Sequence, residues 1–325
     1  MPEATKAFDP ATAIKRHHHI TLCVGGAQED YDFHTKVLGM KSVKKTALYD
    51  GDTPILHLYY GNDHGEESTL ITCFPMRQSG RVGRRGTNQA RVLMLSVPDT
   101  SLPYWRTRLA EHGFEVDDVE RLGEKRLHFT HPCGIEYELV GTVDDRRAPF
   151  EHGPVPAEHG IRGTHGIVVS VVDLDLAHQF VTEGWSARLG TEEKDELRFE
   201  VGTGGSGRII DFVAEPHLPL AGWTYGEGIV HHTAFQVDDH EMQSSVKAHL
   251  EGLGFTDVSE RKDRGYFDSV YVRTPAGALF EAAVSKPEGF LIDEAYDELG
   301  TTFQVPPQFA GQREYLISYL EKIEY

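Results

Sequence analysis

The chain has 325 residues, 39% of them hydrophobic, and a formal charge of -19. That length allows two domains, or one large domain with a substantial core, while so negative a field excludes nucleic acid and anionic membrane surfaces as partners and favours a small, weakly charged substrate. No stretch reaches the roughly 18 apolar residues of a spanning helix and the N-terminus lacks the apolar run of a secretory signal, so a cytoplasmic location is expected.

Taken in chain order, the predicted elements repeat. A β-like run over 19–24 precedes a helix ending at Leu38-Gly39-Met40 and β-like segments that turn at Tyr49-Asp50-Gly51-Asp52. A second unit begins at 92–97, its helix ends at His112-Gly113-Phe114, and its strands turn at His131-Pro132-Cys133-Gly134. A third begins at 166–171 with a helix ending at Glu183-Gly184-Trp185. A fourth begins at 232–237, its helix ends at Leu253-Gly254-Phe255, and its strands turn at Thr274-Pro275-Ala276-Gly277. The four glycines recur about every 70 residues, and each suits the left-handed position that stops a helix. One strand, one helix and three strands, repeated, predict an α+β fold of four βαβββ modules.

The repeat divides the chain into 16–143 (modules one and two, split near 78–88), 162–286 (modules three and four, split near 217–228) and an extension over 287–325. The stretch 78–88 is rich in Arg and Gly, and 144–163 in Pro, His and acidic residues; neither is expected to be core. Arg77, Arg81, Arg84 and Arg85 fit a solvated loop better than an anion site. Tyr315, Leu316, Tyr319, Leu320 and Ile323 have helical spacing and predict an amphipathic C-terminal helix within 309–325. Cys23, Cys73 and Cys133 form no Cys-x-x-Cys pair and are expected to be small core residues.

Acid and imidazole fall at matching places of the repeat. First strands offer His19, then Arg91 or Val92, His165 and His232; last strands offer Thr72, Glu138, Asp211 and Glu281. The segment Arg16-His17-His18-His19-Ile20-Thr21 mirrors Ile229-Val230-His231-His232-Thr233-Ala234, which sets like ligands at like positions of two modules. Two imidazoles and one carboxylate on adjacent strands, with open positions left over, suit iron(II) and oxygen activation. Alternation along a strand puts Thr21 on the face of His19 and turns His18 and His231 away unless the strand is bulged. Each of those two is as consistent with a buried, satisfied histidine as with a group supporting the ligands.

With these residues in view, the sequence resembles the vicinal oxygen chelate superfamily and, within it, the ring-cleaving hydroquinone dioxygenases. The resemblance is carried by His18-His19-Ile20-Thr21, by the strand 229–235, and above all by 263–281, which reads Asp-Arg-Gly-Tyr-Phe-Asp-Ser-Val-Tyr-Val-Arg-Thr-Pro-Ala-Gly-Ala-Leu-Phe-Glu. Further likeness lies at 84–89 and at Pro306-Pro307-Gln308-Phe309. It implies two vicinal-oxygen-chelate domains and one iron(II), with manganese(II) as the alternative metal, held by His19, His232 and Glu281. It also implies catalytic support from His18, His231 and Tyr271, substrate binding by Thr21, Arg264 and Tyr271, a small aromatic diol and O2 as partners, and a homo-oligomer. A para-diol reaches a metal through one oxygen only, so hydrogen bonds from the pocket must orient it.

Catechol-cleaving extradiol relatives draw all their ligands from the C-terminal pair of modules, which here would give His165, His232 and Glu281; the local sequence around His19 favours the other set. The rival functions are catechol cleavage, a glyoxalase-like metal-dependent isomerase or lyase, and a metal-free binding protein. The last strand of module one reads Leu70-Ile71-Thr72-Cys73-Phe74, without the fourth carboxylate that an isomerase usually wants.

Overall fold

The computed structural model describes residues 8–48 and 54–324, so the turn expected at Tyr49-Asp50-Gly51-Asp52 lies outside the described residues. Module one comprises β1 (His17–Val24), α1 (Ala27–Asp32) continued by a π-helical turn (Phe33–Val37), β2 (Lys41–Leu48), β3 (Ile55–Gly61) and β4 (Leu70–Pro75). Module two has β5 (Gln89–Pro98), α2 (Leu102–Glu111), β6 (Asp117–Arg121), β7 (Glu124–Thr130) and β8 (Glu136–Thr142). Module three has β9 (Gly163–Val171), α3 (Asp175–Gln179) with a π-helical turn (Phe180–Gly184), β10 (Arg188–Glu193), β11 (Glu196–Glu200) and β12 (Ile209–Ala214). Module four has β13 (Ile229–Gln236), α4 (His240–Gly252), β14 (Lys262–Asp263), β15 (Phe267–Arg273) and β16 (Leu279–Ser285).

These strands form two eight-stranded sheets, ordered β14-β15-β16-β13-β1-β4-β3-β2 and β10-β11-β12-β9-β5-β8-β7-β6. Within a module the first strand pairs only with the last, which leaves its other edge open. Open edges seek a partner, and here β1 closes on β13 and β5 on β9, both antiparallel. Module one therefore shares a sheet with module four, and module two with module three. The sheets cut across the grouping by chain order into 16–143 and 162–286. This pairing sets the two histidine-bearing strands side by side.

Alternation then sorts each strand. Ile20, Leu22 and Val24 of β1 join the main hydrophobic core with Phe33, Trp105 and Trp185, while His19 and Thr21 take the opposite face. Among the expected helix stops, Gly39, Gly113 and Gly254 are left-handed at φ 69°, 86° and 94°. Gly184 is not. The left-handed residue of module three is Ser186 at φ 60°. The bonds Leu38 N–H to Phe33 O and Trp185 N–H to Phe180 O align Ser186 with Gly39. Gly184 instead permits close packing on α4, since a Cβ there would stand 2.9 Å from Leu250 Cδ2.

The turns at Gly134 and Gly277 close as expected, with N–H bonds to His131 O and Thr274 O at 2.7 and 2.9 Å. The 144–163 connection is more than a linker: Val155 and Ile161 are buried in the main core. The C-terminal helix is shorter than expected, α5 (Arg313–Tyr319), with Leu316 and Leu320 buried and Tyr315 and Tyr319 exposed. Cys23, Cys73 and Cys133 are free thiols. Among the described residues no helix is long and apolar enough to cross a membrane.

Candidate metal centre and substrate cavity

Strand register assembles the site. The β1–β13 pairing sets Thr21 opposite His232 and His19 opposite Ala234; the parallel β13–β16 pairing sets Ala234 beside Glu281. Tyr271 faces Glu281 across the β15–β16 hairpin. Alternate residues share a face, so His19, Thr21, His232, Glu281 and Tyr271 come to one side of the sheet, all but Tyr271 buried.

His19 Nε2 and His232 Nε2 stand 3.0 Å apart, and Glu281 Oε2 lies 2.9 Å from His232 Nε2 and 3.8 Å from His19 Nε2. The other ring nitrogens are turned to neighbours: His19 Nδ1 meets His18 Nδ1 at 2.8 Å, and His232 Nδ1 meets His231 Nδ1 at 2.7 Å. With the ligand Nδ1–H groups donating in both pairs, both Nε2 atoms turn lone pairs toward the carboxylate. Glu281 Oε2 is buried and, despite the nearby imidazole, has no aligned hydrogen bond. Burial drives His19 well below the usual histidine range, against the pull of Glu281. Burial works to raise Glu281, and a proton on the imidazole of His232 or His19 beside it is what would hold the carboxyl below its ordinary range. Three converging electron pairs in a dry site repel, and a cation removes the repulsion. The N, N, O donor set fits a divalent metal of intermediate hardness.

Neighbours hold this arrangement. Ser269 Oγ donates to Glu281 Oε1 at 2.6 Å. His18 Nε2 reaches Ser285 Oγ at 2.8 Å, and Ser285 donates to Glu67 Oε1 at 2.7 Å. A bulge between His17 and His19 lets the His18 ring turn to its neighbour. His231 stacks on Tyr225, ring centroids 3.7 Å apart. Thr21 sits behind the donors, its hydroxyl 2.9 Å from His232 Nε2 and 2.7 Å from Thr72 Oγ1.

A cavity of about 380 Å³ opens on this face. His19, His231, His232, Arg264 and Tyr271 line it beside apolar Phe74, Phe267 and Leu279; Thr21 does not reach it. Arg264 Nε donates to the Tyr271 oxygen at 3.2 Å. Burial, reinforced by Glu281, pushes the Tyr271 phenol up, so it stays protonated near neutral pH. Tyr266 is a packing residue against Tyr59 and Phe290. Sequence reasoning missed Ser269, His57, which lines the cavity with its Nε2 3.1 Å from Thr72 Oγ1, and Tyr59, whose hydroxyl is 3.0 Å from His57 Nδ1. Alternation from Tyr271 points to Ser269, and the His57-x-Tyr59 spacing puts both residues on one face, but nothing marked β3 as a neighbour of the histidine strands. Tyr225, in the supposed 217–228 linker, left no signal.

The second sheet fills the corresponding face with guanidinium. Arg126 Nη1 bonds Glu138 Oε2 at 2.7 Å, its Nη2 bonds Asp211 Oδ2 at 3.2 Å, and Arg198 Nε bonds Asp211 Oδ1 at 2.8 Å. His165 lies in this sheet, 3.0 Å from both Ser206 Oγ and Glu124 Oε1, so His165, His232 and Glu281 are not brought together. A further buried group, Asp30, His34 and Cys73, is engaged in part: Tyr60 O–H donates to Asp30 Oδ2 at 2.7 Å and His34 Nδ1 donates to the Asp30 backbone oxygen at 3.0 Å, while Asp30 Oδ1 has no aligned hydrogen bond. Arg77 pairs with Glu29 and Glu227 on the surface, while Arg84 and Arg85 bond the backbone oxygens of Ala221 and Gly134.

No family model matches the chain. It is 40% identical over 303 residues, 92% of this chain and 94% of the relative, to a chlorohydroquinone/hydroquinone 1,2-dioxygenase of Sphingobium indicum. It is 31% identical over 306 residues, 94% of this chain and 98% of the relative, to the ring-cleaving dioxygenase MhqE of Bacillus subtilis. A crystal structure of a dioxygenase from Bacillus subtilis matches with a TM-score of 0.88 at 30% identity, covering 97% of this chain and 99% of that one.

Proposed function

This chain belongs to the ring-cleaving dioxygenases of the vicinal oxygen chelate superfamily, and from that premise we propose that it opens the ring of a hydroquinone with O2 at an iron(II) held by His19, His232 and Glu281. The observation that carries the reading is the convergence of two imidazole lone pairs, from residues that line a half-apolar cavity, with an uncapped carboxylate oxygen buried beside them. Three protein donors leave room for substrate and oxygen. The chemistry that a redox-active metal held by these three residues would supply is a lower pKa for the substrate hydroxyl and electron density for oxygen.

The remaining work falls to the chain. Arg264 donates to the Tyr271 oxygen, which frees the phenol hydrogen to point into the cavity and orient the ring. His231 is held neutral by burial; with its Nδ1 accepting from His232, its proton sits on Nε2, available to a developing oxyanion. Thr21 stands beside His232 outside the cavity, and with its hydroxyl donating to Thr72 Oγ1 it leaves the His232 Nε2 lone pair free. Phe74, Phe267 and Leu279 keep water from the ring face. Both oxygen atoms of O2 end in the ring-opened acid.

The reading includes a cytoplasmic location, which the free thiols fit. It also includes a homo-oligomer, for which Val82, Leu220 and Trp223, 76%, 59% and 66% exposed on loops joined by bridges, offer apolar surface. The test is oxygen uptake by anaerobically purified protein loaded with iron(II) or manganese(II), offered hydroquinones and catechols in parallel. Uptake with hydroquinone on iron supports the proposal. Uptake with catechols alone, or with manganese alone, overturns its substrate or its metal.

A further inference from the structure

A second cavity, about 700 Å³, lies away from the metal centre, between the second sheet and the segment after β8. Its polar wall carries both signs, with Arg16, Arg146, Arg147, Arg198 and Arg208 facing Glu124, Asp144, Asp145 and Glu200, a local excess of cations in a chain of net charge -19. Three of these guanidiniums have carboxylate partners. Arg198 bonds Asp211 Oδ1 and Glu124 Oε2, each at 2.8 Å. Arg147 bonds Asp145 Oδ1 at 3.0 Å, and Arg16 lies 3.5 Å from Glu67 Oε2. Arg208 differs: its described hydrogen bonds run to the backbone oxygens of Gly204 and Ser206, at 3.2 and 3.4 Å.

Arg208 is half-buried, and burial together with Arg16 and Arg147 pushes its pKa down. A guanidinium desolvated beside like charges, and without a carboxylate of its own, is relieved by an anion. The acidic residues of the wall do not bond it: Glu124 and Asp145 are engaged by Arg198 and Arg147, Glu200 accepts the Gly205 N–H at 3.3 Å and Asp144 is exposed, and none of the four is among the described hydrogen-bond partners of Arg208, although Asp145 favours its charge from a distance. The glycine-rich loop Gly202-Thr203-Gly204-Gly205-Ser206-Gly207 brings bare backbone and the Ser206 hydroxyl to the same wall.

We propose that this cavity is a binding site for a small oxyanion, a carboxylate or a phosphate, seated on the Arg208 guanidinium with Arg16 and Ser206 beside it. A planar fork of N–H donors matches a pair of anionic oxygens, and the volume accepts a ligand of several carbons. The site shares no residue with the donor cluster, although Arg16 pairs with Glu67 at the end of the His18–Ser285 contacts, and its ligand is distinct from the substrate assigned above.

The test is calorimetric titration and thermal unfolding of the metal-loaded protein with maleate, inorganic phosphate and sodium chloride at matched ionic strength. Saturable binding of maleate or phosphate beyond the chloride effect is expected, and the one that binds tells the organic from the inorganic source. Arg208→Gln should weaken it by about tenfold or more, in line with loss of a charged hydrogen bond. Arg208→Lys keeps the charge without the fork and should weaken it less, which also guards against misfolding of the first variant. Binding no stronger than chloride, or equal in Arg208→Gln, overturns the site.

Discussion

His18 Nδ1 lies 2.8 Å from His19 Nδ1, and the far nitrogen of the same ring reaches Ser285, which donates to Glu67. The chain of contacts fixes the His19 tautomer and aims its Nε2 at the donor cluster. Removing the acceptor with His18→Ala should lower metal affinity or turnover by about 10–100-fold. Metal content after dialysis, measured beside turnover, checks this; full retention of both would reduce His18 to a packing residue.

Metal removal should destabilise the fold, because His19, His232 and Glu281 then face one another at 2.9 to 3.8 Å with nothing between them. Returning metal at about a hundred times its Kd should restore about 2.7 kcal/mol. Melting curves before and after chelation, and after readdition, measure this. Glu281→Gln should abolish the response; an unchanged response in that variant would remove Glu281 from the ligand set.

Much of this centre was legible because two modules carry the same histidine strand. His19 and His232 sit at equivalent positions, and Tyr271 and Glu281 share a hairpin whose turn is explicit in Thr274-Pro275-Ala276-Gly277. Which open strand edge meets which is not written in either strand, so the union of modules one and four emerged only in three dimensions. Gly184 misled for a similar reason. A glycine serves a helix stop and a close helix contact equally well, and here Ser186 takes the stop. Thr21 was placed on the correct face, but the depth that keeps it from the cavity depends on Thr72, a strand neighbour invisible to alternation.

Acid should weaken the metal-free protein well before its carboxylates titrate. Burial, helped by Arg147, lowers His17 from 6.5 to about 3. Between those values the unfolded chain binds a proton that the folded chain refuses, so stability rises with pH through this window and is lost as pH falls below 6.5. At pH 5 His17 alone accounts for about 2 kcal/mol relative to pH 7. Burial shifts His18, His19, His57 and His231 the same way. Urea midpoints at pH 5 and pH 7 measure the slope, and equal midpoints would contradict it.

Tyr271→Phe separates orientation from metal binding. The variant keeps the ring that packs beside His232 and loses the hydroxyl that Arg264 holds. Metal content should be unchanged, while kcat/KM for hydroquinone falls by about tenfold. Steady-state kinetics with metal analysis on one preparation checks both; a fall in metal content would instead make the phenol part of the ligand shell.

The two sheets meet one electrostatic problem with different cations. Where the first gathers Glu281 with two imidazoles at the proposed metal site, the second gathers Glu138 and Asp211 around Arg126, whose side chain is fully buried. Arg126→Met therefore takes the close guanidinium from buried Glu138, while Asp211 keeps Arg198, and should destabilise the protein by about 3–5 kcal/mol. Combining it with Glu138→Gln removes the stranded charge and should recover part of that loss. Urea unfolding of the single and double variants reads the difference. If Arg126→Met alone is as stable as the parent, the guanidinium is not what neutralises this face.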